Sequence, residues 1–118
     1  MKVLLISANT ERSHMVTLPL GAGLVAEATR RAGHEVTFLD LLAADAPRQA
    51  LSEVLASTRP EVIGISIRNI DDQNRQEPHF LLEEAKWVVA GCRSASAAPI
   101  VLGGAGFSIF PREVLAYL

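Results

Sequence analysis

Four short apolar, β-branched runs, each separated from the next by a stretch of helical period, constrain this chain more than any other feature. They are Lys2–Ser7 (KVLLIS), Glu35–Asp40 (EVTFLD), Val62–Ile67 (VIGISI) and Pro99–Leu102 (PIVL). The first, third and fourth do not alternate strictly with polar residues, as expected of strands covered on both faces of a parallel sheet. Strands alternating with helices imply successive βαβ units with right-handed crossovers. The spacing therefore predicts an α/β fold: a doubly wound, Rossmann-like parallel sheet in a three-layer αβα sandwich.

The helical segments have readable ends. The first is expected over about Leu18 to Ala32, with Leu20, Leu24, Ala28 and Ala32 turned inward, Glu27 paired with Arg31, and Gly33 closing it. A second opens near Pro47, turns Leu51, Val54, Leu55 and Thr58 inward, and stops before Pro60. A third opens near Pro78, with Leu81, Ala85, Val88, Val89 and Cys92 inward. A fourth opens at Pro111, which fits a first helical position, and still runs at Leu118. A four-stranded sheet ending there leaves its last strand as an exposed edge. The expectation is a piece, residues 1–118, of a longer protein whose next segment adds a strand.

The connections are unequal. Helix-to-strand links are tight at Gly33-His34 and Arg59–Glu61, and looser at Arg93–Ala98. Strand-to-helix links are long: Ala8–Thr17, Leu41–Ala46, Arg68–Glu77 and Gly103–Phe110. They gather at the carboxyl edge of the sheet, where open α/β sheets bind ligands. The last link holds glycines at 103, 104 and 106. That is more than a tight turn requires, so a close backbone approach to a ligand is the favoured reading.

Composition removes several partner classes. The formal net charge is −2, with no Lys/Arg cluster to grip nucleic acid. No apolar run approaches a membrane span. The N-terminus lacks a small-residue cleavage site, so a cytoplasmic domain is expected. A single cysteine, Cys92, leaves no internal disulfide or multi-cysteine cluster, and its place on a helix's inner stripe reads as core. His34 and His79 flank helices and read as structural or exposed, and Asp71-Asp72 reads as surface.

The loops decide among α/β ligands. Ser7–Thr17 contains no glycine, which excludes a dinucleotide fingerprint and a P-loop. Ala8-Asn9-Thr10 and Ser66-Ile67-Arg68 stand where a receiver domain would carry its acidic cluster and aspartate. A flavodoxin-like FMN site stays open, because Ser7, Asn9, Thr10, Ser13 and Thr17 offer hydroxyls and amides ahead of a helix. Against it, no Trp or Tyr lies in the crevice loops. A ligand-free docking domain is the third alternative.

Taken in order, Pro19-Leu-Gly21, Gly33-His-Glu-Val-Thr-Phe-Leu-Asp40, Val62-Ile-Gly-Ile-Ser66 and Val101-Leu-Gly-Gly104 with Pro111-Arg-Glu-Val resemble one family. It is the N-terminal cobalamin-binding domain of cobalamin-dependent radical SAM proteins. Arg68-Asn-Ile-Asp-Asp72 and Gly104-Ala-Gly-Phe-Ser108 look like a subgroup signature. The resemblance implies a flavodoxin-like sheet that takes the corrin's nucleotide tail in its crevice and lays the ring across the strand ends. It implies Ser66 as the serine bonding the tail base, Arg68 and Asn69 beneath or beside the ring, and Gly103 and Gly104 against the tail. Asn9, Thr10, Leu20, Gly21, Gly106, Phe107 and Ser108 complete the implied site.

The first loop departs from one pattern. Mutase-type cobalamin domains carry Asp-x-His-x-x-Gly there, and its histidine ligates cobalt from below. Here neither Arg12 nor Thr17 flanks His14 suitably, so the resemblance implies a His-off cobalamin, with His14 an exposed loop residue. The 4Fe-4S cluster and S-adenosylmethionine of such proteins need a Cys-x-x-x-Cys-x-x-Cys loop. This chain has none, so the expectation is a binding module joined to a radical SAM catalytic domain of the same polypeptide.

Overall fold

In a computed structural model, which describes residues 1–13 and 15–118, the chain forms β1 (Lys2–Ser7), α1 (Leu20–Arg31), β2 (Glu35–Asp40) and α2 (Pro47–Thr58). Then come β3 (Val62–Ser66), α3 (Leu82–Ala95), β4 (Ile100–Gly103), α4 (Ala105–Ile109) and α5 (Pro111–Tyr117). The four strands are all parallel, in the order β2-β1-β3-β4. This is the expected flavodoxin-like α/β arrangement. The chain steps from β1 to β2 in one direction and then crosses to β3 on β1's other side. The carboxyl ends of β1 and β3 therefore form a topological switch point, where a crevice opens.

The two faces of the sheet are covered differently. Leu4 and Ile6 of β1, with Ile63 and Ile65 of β3 and Ile67 just beyond it, point to one face. There they join Leu51 and Leu55 of α2, Leu82, Ala85, Val88, Val89 and Cys92 of α3, and Val114 of α5 in one buried cluster. The interleaved residues Leu5, Ser7, Gly64, Ser66, Val101 and Gly103 point the other way. Register aligns them into two rows, Leu5–Gly64–Val101 and Ser7–Ser66–Gly103. Among the described helices, α1 lies over that side, and it buries no residue completely.

This changes three expectations. The inward stripe assigned to α1 is not core: Leu20 is 71% exposed and Leu24 64%. Full cover on both sheet faces is likewise replaced by burial that alternates along β3, where Gly64 and Ser66 separate the isoleucines. Helix α3 begins at Leu82 and not near Pro78. The backbone after Pro78 is extended, with Phe80 bridging to Asp71. The Asp72 carboxylate accepts N–H groups of Asn74 and His79, and those bonds hold it below the usual aspartate range. Helix α4 was not anticipated. Glu27 pairs with Arg31 at 2.8 Å as expected, and with Arg30 at 2.8 Å as well. These exposed pairs add little stability. Cys92 is fully buried, and burial pushes its thiol up to about 11.

Candidate functional site

The crevice at the switch point is a cavity of about 440 Å³ between α1 and the less covered face of the sheet. That volume falls within the roughly 300–1,000 Å³ usual for small-molecule sites. Its floor is the double row from β1, β3 and β4, and its roof is the start of α1, including Leu20, Gly21 and Val25. The exposed apolar residues Leu18, Leu20 and Val25 of this segment line it. Helical periodicity had marked α1 correctly as amphipathic. What its apolar face meets is a cleft and not a core.

Polar groups in the cavity are few. Ser7 is 5% exposed, and it lies beside Ser66 in the β1–β3 register. Neither hydroxyl has a protein hydrogen-bond partner among the described residues. Backbone groups nearby are already committed: Ala8 N–H donates to the Ser66 carbonyl, Leu41 N–H to that of Ser7, and Ile67 N–H to that of Gly103. At the mouth, the Arg68 guanidinium donates to the Thr17 hydroxyl, linking the β3 loop to the loop before α1. Arg68 is the one charged side chain among the described lining residues. Such a site suits a ligand with an apolar, flat body, few polar atoms, and a polar or anionic part near the opening.

The sequence-derived residues divide here. Asn9, Leu20, Gly21, Ser66, Arg68, Gly103 and Gly104 line the cavity together. Thr10 and Asn69 face a separate small recess beside Ala85. Gly106 is buried, Phe107 packs against the main core, and the Ser108 hydroxyl donates to the Gly104 carbonyl at 2.9 Å; none of these three lines the cavity. Ser7 and Thr17, read from the sequence only as hydroxyls for an FMN site, line it too, and Leu5, Gly64 and Val101 line it without having been expected as ligand contacts. For the strand residues Leu5, Ser7, Gly64 and Val101 the signal was strand parity. Gly64 lies two positions from Ser66, Ser7 is in register with Ser66, and Leu5 and Val101 are in register with Gly64, so all share its face. His14 lies outside the described residues.

The glycines of the last strand-to-helix link serve two purposes. Gly104 has φ +100, and a Cβ there would strike the Ile67 carbonyl and lie 2.8 Å from its nitrogen. A Cβ on Gly106 would lie 2.9 Å from the Arg68 carbonyl oxygen. At these two positions the close approach is to the chain's own backbone, where Gly106 N–H donates to the Ile67 carbonyl. Gly103 is different, since a Cβ there would meet nothing within 4 Å, and the same holds for Gly21. Side chains at those positions would project into open cavity.

Apart from Arg68, the described titratable groups lie away from the cavity lining. Glu11 is held below the usual carboxylate range, chiefly by hydrogen bonds from Ser13, with His79 at 3.3 Å adding to it. His34 sits at the opposite, amino edge of the sheet, 3.3 Å from the N-terminal amine. Among the described residues there is no group of three or more His, Cys, Asp or Glu able to hold a metal ion. No helix described is long and apolar enough to cross a membrane.

Comparison with known proteins gives concordant results. The tryptophan 2-C-methyltransferase of Streptomyces laurentii is 31% identical over 110 residues, which are 92% of this chain and 18% of that protein. A solved structure of the radical S-adenosylmethionine methyltransferase TsrM from Kitasatospora setae, with cobalamin and a 4Fe-4S cluster bound, superimposes with a TM-score of 0.85 at 29% identity. The match covers 98% of this chain and 20% of that one. The chain thus spans about a fifth of the length of these relatives. The B12 binding domain family model matches residues 6–118, and the chain belongs to that family.

Proposed function

We propose that this chain is the cobalamin-binding module of a longer radical SAM methyltransferase, with the corrinoid's nucleotide tail in the cavity between α1 and the sheet. The observation that carries this reading is the open space above Gly103 and Gly21, beside two unpartnered serine hydroxyls, in a member of the B12-binding family. The residues present fit the group. Leu5, Gly64, Val101 and Leu20 offer apolar surface to a flat base, Ser66 and Ser7 offer hydroxyls to its nitrogen, and Arg68 stands where a ring amide or phosphate oxygen would arrive.

When bound, cobalamin supplies the capacity to carry a methyl group. This chain's residues bind and orient it. The ring would be held His-off, with His34 at the far edge and His79 engaged with Glu11. The cluster, S-adenosylmethionine and the substrate belong to a catalytic domain of the same, cytoplasmic, polypeptide. The FMN alternative lacks a stacking surface for the flavin, since no Trp or Tyr is among the described residues lining the cavity.

The test is a hydroxocobalamin titration of the full-length polypeptide, followed by its visible spectrum. Association at micromolar concentration is expected, and Gly103→Val should weaken it about 100-fold, or about 3 kcal/mol. Its unfolding midpoint should stay unchanged. Absence of association at high micromolar cobalamin would overturn the reading. Wild-type affinity retained in Gly103→Val would favour a docking domain whose cavity is not used.

A further inference from the structure

The cavity's chemistry points to more than the class of its ligand. The floor row Leu5–Gly64–Val101 is entirely apolar, and the Leu5 side chain lies across the place where a Gly64 side chain would begin. The neighbouring row, Ser7–Ser66–Gly103, contributes two hydroxyls. Its carbonyls already accept from Leu41, Ala8 and Ile67, so few uncommitted polar atoms remain at the floor besides those hydroxyls. Ser7 is the more deeply buried of the two, and no described residue hydrogen-bonds its hydroxyl, which stays open to the cavity.

A ligand whose base enters this floor must balance its own polar atoms against those two hydroxyls. A benzimidazole attached through one ring nitrogen presents a single further ring nitrogen, an acceptor that one hydroxyl satisfies. The second hydroxyl can then donate to the first. Adenine, a purine attached in the same way, presents three ring-nitrogen acceptors and the two hydrogens of its amine. Those two hydroxyls cannot serve them all. Of the other polar lining side chains, Asn9 Oδ1 already accepts from Glu11 N–H and the Thr17 hydroxyl from Arg68, so the remainder would be desolvated against Leu5, Gly64 and Val101.

Resting on the corrinoid reading above, we infer that the cavity selects corrinoids by their tail base, taking benzimidazoles over purines, with Ser7 acting beside Ser66 in that choice. The discrimination comes from polar atoms left unpaired and not from exclusion by size, since the cavity is roomy above Gly103.

The experiment compares three probes on the full-length polypeptide by spectral titration: hydroxocobalamin, the adeninyl cobamide, and cobinamide, which has no tail. Cobalamin should bind about 10-fold or more tighter than the adeninyl form. Ser7→Ala should weaken cobalamin severalfold. Val101→Asn, at an exposed strand position that tolerates a polar side chain, should narrow the preference by giving the purine a partner. Equal or tighter binding of the adeninyl cobamide overturns the inference, and so does cobinamide binding as tightly as cobalamin. If none of the three associates, the corrinoid reading itself falls and takes this inference with it.

Discussion

The same strands build two unlike faces. On one, Leu4, Ile6, Ile63 and Ile65 meet α2, α3 and α5, and the packing is dry and continuous. On the other, the residues between them are smaller or more polar, and α1 stands off far enough to leave a cavity. Stability and binding are thus separated by one residue step along a strand. The difference shows that a helix can be amphipathic, correctly placed and still bury nothing completely, because its partner is a ligand space.

The largest effect expected on this contrast is at the dry face. Ile65→Ala removes a fully packed side chain and should cost about 2–5 kcal/mol in urea unfolding. A loss below about 1 kcal/mol would mean that this face is not the main source of stability. Next is the glycine pair where the faces meet. Gly104→Ala forces a side chain onto φ +100 and against Ile67, and should cost about 2–3 kcal/mol. Gly103→Ala should stay within about 0.5 kcal/mol of wild type. Similar losses at both positions would erase the distinction between a glycine kept for the fold and one kept for the cavity.

The smallest effect is a pH dependence confined to the dry face. Burial raises the Cys92 thiol from 9.0 to about 11, so the unfolded chain releases that proton at lower pH than the folded one. The contribution is intact below pH 9 and is lost as pH rises towards 11. At pH 10 the loss should be about 1 kcal/mol. Cys92→Ala should flatten this segment of the stability profile, and an unchanged profile in that variant would assign the alkaline loss elsewhere.

Much of this architecture could be read before the structure. The β-branched runs marked all four strands, and Pro47, Pro60 and Pro111 marked helix boundaries that hold. Three features resisted, each for a physical reason. Hydrophobic periodicity reports that α1 has an apolar face but not what that face meets. The sequence Gly104-Ala-Gly reads as a turn, because the start of α4 is anchored by a bond from Gly106 N–H to the distant Ile67 carbonyl. The start of α3 was displaced by the Asp71–Phe80 bridge, a pairing set by side-chain capping within the loop.

Site residues followed the same division. Ser66, Arg68 and Gly103 sit at strand ends, where topology alone brings them together. Gly106, Phe107 and Ser108 belong to the same glycine-rich stretch, yet the helical turn of α4 carries them away from the cavity. Ser7 was legible only as a crevice hydroxyl and not as part of the corrinoid site, because only its register with Ser66 gives it that neighbour.

The two-residue period of β3 also sets which kinds of genetic change this chain can absorb. Substitutions at Gly64 or Ser66 alter one face and spare the other, so ligand preference can drift without loss of the fold. Deleting one residue within Val62–Ser66 would move isoleucines over the cavity and serine into the core at once. Insertions and deletions are therefore closed to this strand as a route of divergence, and its length should be held while its odd and even positions change independently.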